Sequence, residues 1–334
     1  MVHRRDFLKG CFRASPLPEV VEEERPAEYV EISRHCMAAE FLIYTNAGEY
    51  GHGVEVALEA LDEVTRLEKL LSYFEEESEI SQINAAAGRD FVEVSPEVYG
   101  LLKQCDTIFR KTQGAFDMTA TPLSEVWGFL ARKGKVPEES RRLQALTLVD
   151  GGEVLWDDCR WAVRLPRCGM RISLGSIGKG FALDVAANVL EIGGVENFLF
   201  HGGNSSVLAR GERRGRKDWL VGLHHPLKPG RRLREIPLRN RALGTSGSAT
   251  QFFWWQGKRY GHVLDPRTGF PAEGVLSVTV LAPTATEADA LATAFYVMGV
   301  EATEEFCKNR PDLGVIFALP TPCGEPELKS FGNL

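Results

Sequence analysis

No apolar stretch in these 334 residues approaches the ~18–20 that a membrane-spanning helix needs, so no transmembrane segment is expected. Cysteine is sparse and poorly arranged for a metal or a disulfide scaffold. Cys11, Cys36, Cys105, Cys159, Cys168, Cys307 and Cys323 form an odd, scattered set without a C-x-x-C pair, and buried reduced thiols are expected. Positive charge is also short: 39 Lys and Arg against 46 Asp and Glu give a net charge of −7, without the electrostatic footprint of a nucleic-acid binder. What remains is an ordinary globular composition, 44% hydrophobic and 25% charged, which supports a sizeable core.

The amino terminus is ambiguous. Arg4-Arg5-Asp6-Phe7-Leu8-Lys9 is similar to a twin-arginine export signal and Leu8-Lys9-Gly10-Cys11 to a lipoprotein cleavage box, but the apolar stretch of ~7–15 residues that should follow is missing. Acidic residues over 19–24 come next. A degenerate signal and a basic, disordered start before an acidic linker both fit, so export stays open with the cytoplasm favoured. Residues 1–35 are set apart as this terminal segment, and 36–334 as the main domain.

Glu40-Phe41-Leu42-Ile43-Tyr44 predicts a strand ended by Thr45-Asn46-Ala47-Gly48. Val54, Leu58, Leu61, Val64 and Leu71 recur at helical spacing and predict an amphipathic helix with one inward face. Ser95-Pro96 starts a second helix, with Val98, Leu101, Cys105, Ile108 and Phe109 on one face and a stop at Gly114. A hairpin is expected over 146–165, an apolar strand over 171–174, and a helix over 181–192 closed by Gly193-Gly194. Further strands are expected over 197–200, 219–223, 275–281 and 314–319, with a last helix over 286–298. Without repeats or a break after residue 35, the pattern predicts one α+β domain with mixed or antiparallel sheets flanked by helices.

Three segments can carry chemistry. Gly175-Ser176-Ile177-Gly178-Lys179-Gly180 precedes a helix, where small residues let backbone amides approach an anion. It matches neither G-x-x-x-x-G-K-[ST] nor G-x-G-x-x-G, and a tight turn without a ligand explains it equally well. In Thr284-Ala285-Thr286-Glu287-Ala288-Asp289-Ala290-Leu291-Ala292-Thr293, Asp289 and Thr293 share a helix face. Two oxygen ligands so placed suit Mg2+, whose shell phosphates and waters can complete. Thr286-x-x-Asp289 also fits an N-cap pattern, in which Asp289 would only satisfy orphan amides.

Tyr260-Gly261-His262-Val263-Leu264-Asp265-Pro266-Arg267-Thr268-Gly269 places a histidine suited to general-base work beside a turn. The turn alone accounts for Asp265, Pro266 and Gly269. Thr245-Ser246-Gly247-Ser248 and His201-Gly202-Gly203-Asn204 are small polar loops that can admit a ligand or merely turn the chain.

Taken in order, these segments resemble the FAD:protein FMN transferase (ApbE) family over 37–299. The first of five blocks joins Leu71-Ser72-Tyr73-Phe74 to Ser78-Glu79-Ile80-Ser81-Gln82-Ile83-Asn84. The second is Gly114-Ala115-Phe116-Asp117 with Thr121-Pro122-Leu123 and Trp127-Gly128-Phe129, and the third Ser173-Leu174-Gly175-Ser176-Ile177-Gly178-Lys179-Gly180 with Ala182 and Asp184. His262-Val263-Leu264-Asp265-Pro266-Arg267-Thr268-Gly269 is the fourth, and Ala282-Pro283-Thr284-Ala285 with Glu287-Ala288-Asp289-Ala290-Leu291-Ala292-Thr293-Ala294 the fifth.

The resemblance implies an ApbE-like, T-fold-related architecture. It also implies a Mg2+-dependent enzyme that splits FAD, attaches the FMN half by a phosphoester to a Thr or Ser of an acceptor flavoprotein, and releases AMP. Positioning and a cation supply most of the rate of such a phosphoryl transfer. By the same carry-over Asp289, Thr293, the backbone oxygen of Ala292 and an oxygen of Ser176 would hold the metal. Met37, Phe74, Ala115, Phe116, Asp117, Ser173, Lys179, Gly202, Gly203 and His262 would line the flavin site. Lys179 would neutralise a phosphate, Asp117 would bond the adenine or flavin edge, and the two glycines would let the chain pass close to the ligand. His262 or Asp265 would take the proton of the incoming hydroxyl.

Several positions depart from the commoner family pattern. Ser173 and Asn204 stand where aspartates are frequent, Phe74 where a tyrosine is, and Ser248-Ala249-Thr250 where Asp-Tyr-Arg is usual. A Mg2+-dependent FAD pyrophosphatase, with water in place of the hydroxyl, and a non-catalytic FAD-binding protein are the competing readings.

Overall fold

The computed structural model describes residues 29–228, 230–248 and 251–334. Arg4-Arg5, the Cys11 box, the acidic stretch 19–24 and Ala249-Thr250 lie outside the described residues. The main sheet has eight strands: β1 (Tyr29–Cys36), β2 (Ala39–Asn46), β3 (Phe198–Gly202), β4 (Ser206–Arg210), β5 (Arg241–Gly247), β6 (Ser277–Ala282), β7 (Gly314–Leu319) and β8 (Glu327–Gly332). They lie side by side in chain order, antiparallel at every junction. β1 draws on residues 29–35, which the sequence pattern had assigned to the terminal segment. Its alternation of Glu31, Ser33 and His35 with Val30 and Ile32 is that of an edge strand. The two-residue turn into β2 holds Met37 and Ala38 at φ 50° and 55°, as a primed hairpin turn requires.

Four long helices accompany the sheet: α1 (Gly53–Leu71), α2 (Pro96–Lys111), α3 (Gly178–Ile192) and α4 (Ala285–Cys307). α1, α3 and α4 lie side by side and bury Phe41, Phe198, Phe200, Phe295 and Phe317, each contributing roughly 1.5–3 kcal/mol by leaving water. A hairpin of Trp219–His224 with Arg232–Leu238 adds a second cluster, burying Trp219, Val221, Leu223, Ile236 and Leu238 with Leu199, Val207, Leu243, Leu281 and Ile316. A third cluster of Leu123, Trp127, Phe129 and Leu264 supports Phe253 and Tyr260 of the hairpin Phe252–Trp255 and Lys258–Gly261. Among the described residues no helix is long and apolar enough to cross a membrane.

Six expectations need correction. Of the cysteines expected to be buried, Cys159, Cys168 and Cys323 are exposed. The segments read as loops at Thr245-Ser246-Gly247 and His201-Gly202 are strand residues of β5 and β3. The inward stripe of α1 is Val56, Ala57, Ala60, Leu61, Val64, Leu67 and Leu71, leaving Val54 and Leu58 exposed. The hairpin expected over 146–165 shrinks to Leu155–Asp157 and Ala162–Arg164, preceded by a short 3-10 turn at Gly151–Glu153. Residues 171–174 form no strand, because the Asn84 amide side chain satisfies both Ile172 N (2.7 Å) and Ile172 O (2.9 Å) in place of a ladder. α4 does not stop at 298 but runs on past a break at Gly299 (φ 74°).

Candidate functional site

The site forms where the start of α3, the first turns of α4, and strands β4 and β5 converge. Thr284 opens α4: its hydroxyl accepts from Glu287 N at 3.2 Å. From α3, the Asp184 carboxylate accepts from Ala285 N (2.9 Å), Thr286 N (2.8 Å) and the Thr286 hydroxyl (2.5 Å). The orphan amides of α4 are thus satisfied without Asp289, which corrects the capping reading of Thr286-x-x-Asp289.

Asp289 instead reaches across to α3. Its Oδ2 accepts from Gly180 N at 2.8 Å and from the Ser206 hydroxyl at 2.9 Å. Such proximity needs glycine: a Cβ at Gly180 would run into Ala285 O, and one at Gly244 into the Ala288 backbone. Among the described residues no hydrogen bond reaches Oδ1. One turn on, Thr293 Oγ1 lies 2.9 Å from Ser246 Oγ. Burial pushes the Asp289 carboxyl up from 3.8 to about 6, against the opposing pull of Lys179 and the two hydrogen bonds.

A buried carboxylate with one uncommitted oxygen, beside hydroxyls and helix carbonyls, is a hard-oxygen donor set, and it fits Mg2+. No three His, Cys, Asp or Glu side chains gather as a ligand cage among the described residues, so most of the cation's shell would come from phosphate and water. Ala292 is buried and can offer only its backbone oxygen, while Ser176 is half-buried in the turn before α3.

Lys179 couples this corner to His262. Burial holds the imidazole below its usual 6.5, with the charge of Lys179 acting in the same direction and the bond to Gln251 opposing. His262 Nδ1 lies 3.1 Å from Gln251 O. A carbonyl only accepts, so Nδ1 carries the proton and Nε2 presents a lone pair. The ring stands edge-on to Phe129, 6.5 Å between centroids.

Other expected site residues are engaged elsewhere. Asp265 is gripped by Arg267: Oδ1 accepts from its backbone N and Nε, and Oδ2 from Nη2, all at 2.9 Å. Asp117 accepts from Thr119 N and Oγ1 (both 2.7 Å) on Oδ1 and from Gly151 N (3.0 Å) on Oδ2, and burial raises its carboxyl. It borders a cavity of about 480 Å³ shared with Phe109, Pro266 and Arg267. Ala115 and Phe116 are fully buried and offer a ligand almost no surface.

Phe74, by contrast, is 73% exposed, edge-on to Tyr73, whose hydroxyl donates to Glu125 at 2.6 Å. Met37 donates its amide to Glu68 Oε1 at 2.7 Å. Gly202 sits against Phe41 and Leu183, and Gly203 (φ 64°) donates to Glu40 O at 2.8 Å, so both serve the β2–β3 junction. Ser173 Oγ accepts from Gly175 N at 3.4 Å, a turn bond that an aspartate would also make, so the serine preserves the local geometry. Ser206 was not anticipated as a partner of the site; Asp184 appeared only within the third family block and Ser246 only within a polar loop that can admit a ligand, and sheet pairing and helix crossing bring all three there.

The antiparallel sheet layered with helices is an α+β fold, and it sets a cluster of oxygen donors against the start of α3. The ApbE family profile matches residues 37–317, and the chain belongs to this family. It is 31% identical over 271 residues to an FAD:protein FMN transferase of Klebsiella pneumoniae (strain 342), covering 80% of this chain and 83% of that protein. It is 32% identical over 279 residues to another from Treponema pallidum (strain Nichols), covering 78% and 77%. Among solved structures, the ApbE protein of Thermotoga maritima matches with a TM-score of 0.80 at 31% identity, over 90% of this chain and 96% of that one. The flavin transferase ApbE of Vibrio cholerae matches with 0.80 at 25%, over 91% and 97%.

Proposed function

We propose that this chain is a Mg2+-dependent FAD:protein FMN transferase, moving FMN from FAD to a Thr or Ser hydroxyl of an acceptor protein and releasing AMP. The observation that carries the reading is the pairing of an uncommitted Asp289 Oδ1 with Thr293 Oγ1 one turn away, at the N-terminus of α3 and beside Lys179. Asp289, Thr293, the Ala292 carbonyl and Ser176 would hold Mg2+, which when bound neutralises charge on the diphosphate.

The chain's own residues supply the rest. The start of α3 presents partial positive charge to the diphosphate, and Lys179 adds a full one. His262 Nε2 takes the proton from the acceptor hydroxyl as its oxygen attacks the FMN phosphorus; the P–O–P bridge breaks and AMP leaves. His262 is favoured over Asp265 because its lone pair is available, whereas both Asp265 oxygens are held by Arg267. Burial keeps the imidazole neutral, the form a base needs.

The test is incubation with FAD, Mg2+ and a peptide bearing a Thr-Gly-Ala-Thr acceptor, followed by denaturation and measurement of peptide-bound flavin and AMP. Covalent flavin that is lost in Asp289→Ala supports the transferase. Free FMN with AMP and no labelled peptide would make the protein a pyrophosphatase. FAD binding insensitive to chelator, with no AMP, would make it a binder.

A further inference from the structure

The hairpin Trp219–His224 and Arg232–Leu238 covers the face of the main sheet turned away from α3 and α4. Side chains alternate along a strand, so Val207 and Leu243 point into the hairpin's cluster while their neighbours Ser206 and Gly244 meet α4. The sheet therefore separates this hairpin's connecting loop from Asp289. The loop is basic: over 225–235, Lys228, Arg231, Arg232 and Arg234 stand against Glu235 alone.

The loop folds around His225, whose side chain is fully buried. His225 N donates to Arg231 O at 2.8 Å, and Arg231 N to Lys228 O at 3.2 Å. The imidazole Nδ1 accepts from Leu227 N (3.0 Å) and Lys228 N (3.1 Å), so its lone pair is used and the ring proton sits on Nε2. Nε2 faces Glu325 Oε2 at 3.5 Å yet makes no hydrogen bond. A buried donor without an acceptor is costly, and a native structure seldom keeps one without cause.

Glu325 lies in the turn between β7 and β8. Its Oε1 accepts from both Lys228 Nζ and Arg231 Nη1, the latter at 2.9 Å. Lys228 above all, with Arg231, holds the carboxyl down at about 2, so Glu325 remains an anion. All three side chains are half-exposed, and ion pairs so placed are individually weak. The turn is tied without this carboxylate: Thr321 Oγ1 donates to Glu325 O at 2.5 Å and Gly324 N to Thr321 O at 3.1 Å. The side chain can thus swing out while the backbone keeps its shape. With both cations on one oxygen, the planar carboxylate leaves its other oxygen short of Nε2. A tetrahedral oxyanion spreads more oxygens in three dimensions and can meet all three donors at once.

We propose that His225 Nε2, Lys228 and Arg231 form a binding site for a small tetrahedral oxyanion of the phosphate type, in which Glu325 is a displaceable stand-in. A plain ion-pair tether needs only Lys228 and Arg231 and leaves the buried Nε2 proton unexplained. The site is independent of the flavin-transfer reading, and its ligand differs from the diphosphate expected at α3.

The test titrates inorganic phosphate at fixed ionic strength into the full chain, its Glu325→Gln variant and the triple variant Glu325→Gln/Lys228→Ser/Arg231→Ser, read by calorimetry. Wild type should bind phosphate, Glu325→Gln about tenfold tighter because the competing carboxylate is gone, and the triple variant should lose the site. The start of α3 is the same in all three proteins, so phosphate bound there cancels from the comparison. In protein carrying isotope-labelled histidine, the Nε2 proton of His225 should move downfield in the NMR spectrum as phosphate binds and gives it an acceptor. Equal affinity in Glu325→Gln and the triple variant would mean that phosphate binds elsewhere, and overturns the assignment. So does binding to Glu325→Gln with none to wild type, which would make Glu325 a fixed structural partner. An unmoved His225 proton in the phosphate-bound protein removes the imidazole and refutes the three-donor site.

Discussion

At Asp289 one oxygen is committed to protein donors and the other is not, so two substitutions separate structure from chemistry. Asp289→Asn keeps an oxygen for Gly180 N and Ser206 Oγ while removing the charge. Its unfolding free energy should stay within about 1 kcal/mol of wild type or rise, while AMP release falls by roughly 10²-fold or more. Asp289→Ala strands both donors and should cost about 1–3 kcal/mol as well. Urea unfolding beside AMP assays checks both, and an active Asp289→Asn would remove the carboxylate from the chemistry.

His201 in β3 yields the pH prediction. Burial, and then the charge of His224, hold its imidazole down at about 4 from 6.5, with the ring edge-on to Tyr44 at 5.8 Å. The unfolded chain takes up a proton near 6.5 and the native state only near 4. Stability from this group is therefore complete above 6.5 and lost as pH falls toward 4, up to about 3 kcal/mol. His201→Phe should gain on wild type by that amount between pH 7 and pH 4 in urea titrations. Parallel curves would show that the imidazole stays solvated.

The α3–α4 crossing sets the distance between Gly180 N and Asp289, and at the scale of elements it is the weakest tolerance in the site. Gly180→Ala must push α4 away from α3, because the new methyl meets Ala285 O, a backbone atom that cannot rotate aside. A loss of about 1–3 kcal/mol is expected, with AMP release reduced far more than the stability loss explains; thermal melts and rate measurements read the two separately. Elements with local signals were legible in the sequence: Ser95-Pro96 and Gly114 bracket α2, and β7 falls on its expected bounds. Asp289 and Thr293 were legible as a pair because helix geometry fixes residues four apart on one face. The inner face of α1 was misread because Ala57 and Ala60 fill it, and alanine carries little apolar weight in a periodicity. Ser206 could not be foreseen, since it meets its helix only through strand order and from 83 residues away, while Ser246 was legible only as part of a small polar segment and not as the partner of Thr293.

For the molecule as a whole, the fold and the cation are separable. Asp184, Gly180 N, Thr284 and Ser206 lock α3, α4 and β4 together without any metal, so chelation should abolish turnover while leaving the melting temperature of the ligand-free protein nearly unchanged. A structural metal site would behave oppositely, because there binding free energy is folding free energy. On the proposed function, with so few protein ligands, Mg2+ affinity would depend on the diphosphate that completes its shell, and linkage would make the dependence reciprocal. Mg2+ alone should hardly stabilise the protein, FAD alone modestly, and the two together by more than their sum. Calorimetry should find that FAD tightens Mg2+ by the same factor as Mg2+ tightens FAD, within the range of about 5–150-fold common for coupled sites. Equal Mg2+ stabilisation with and without FAD would mean that the protein holds a complete cage of its own, which a single uncommitted carboxylate oxygen cannot provide.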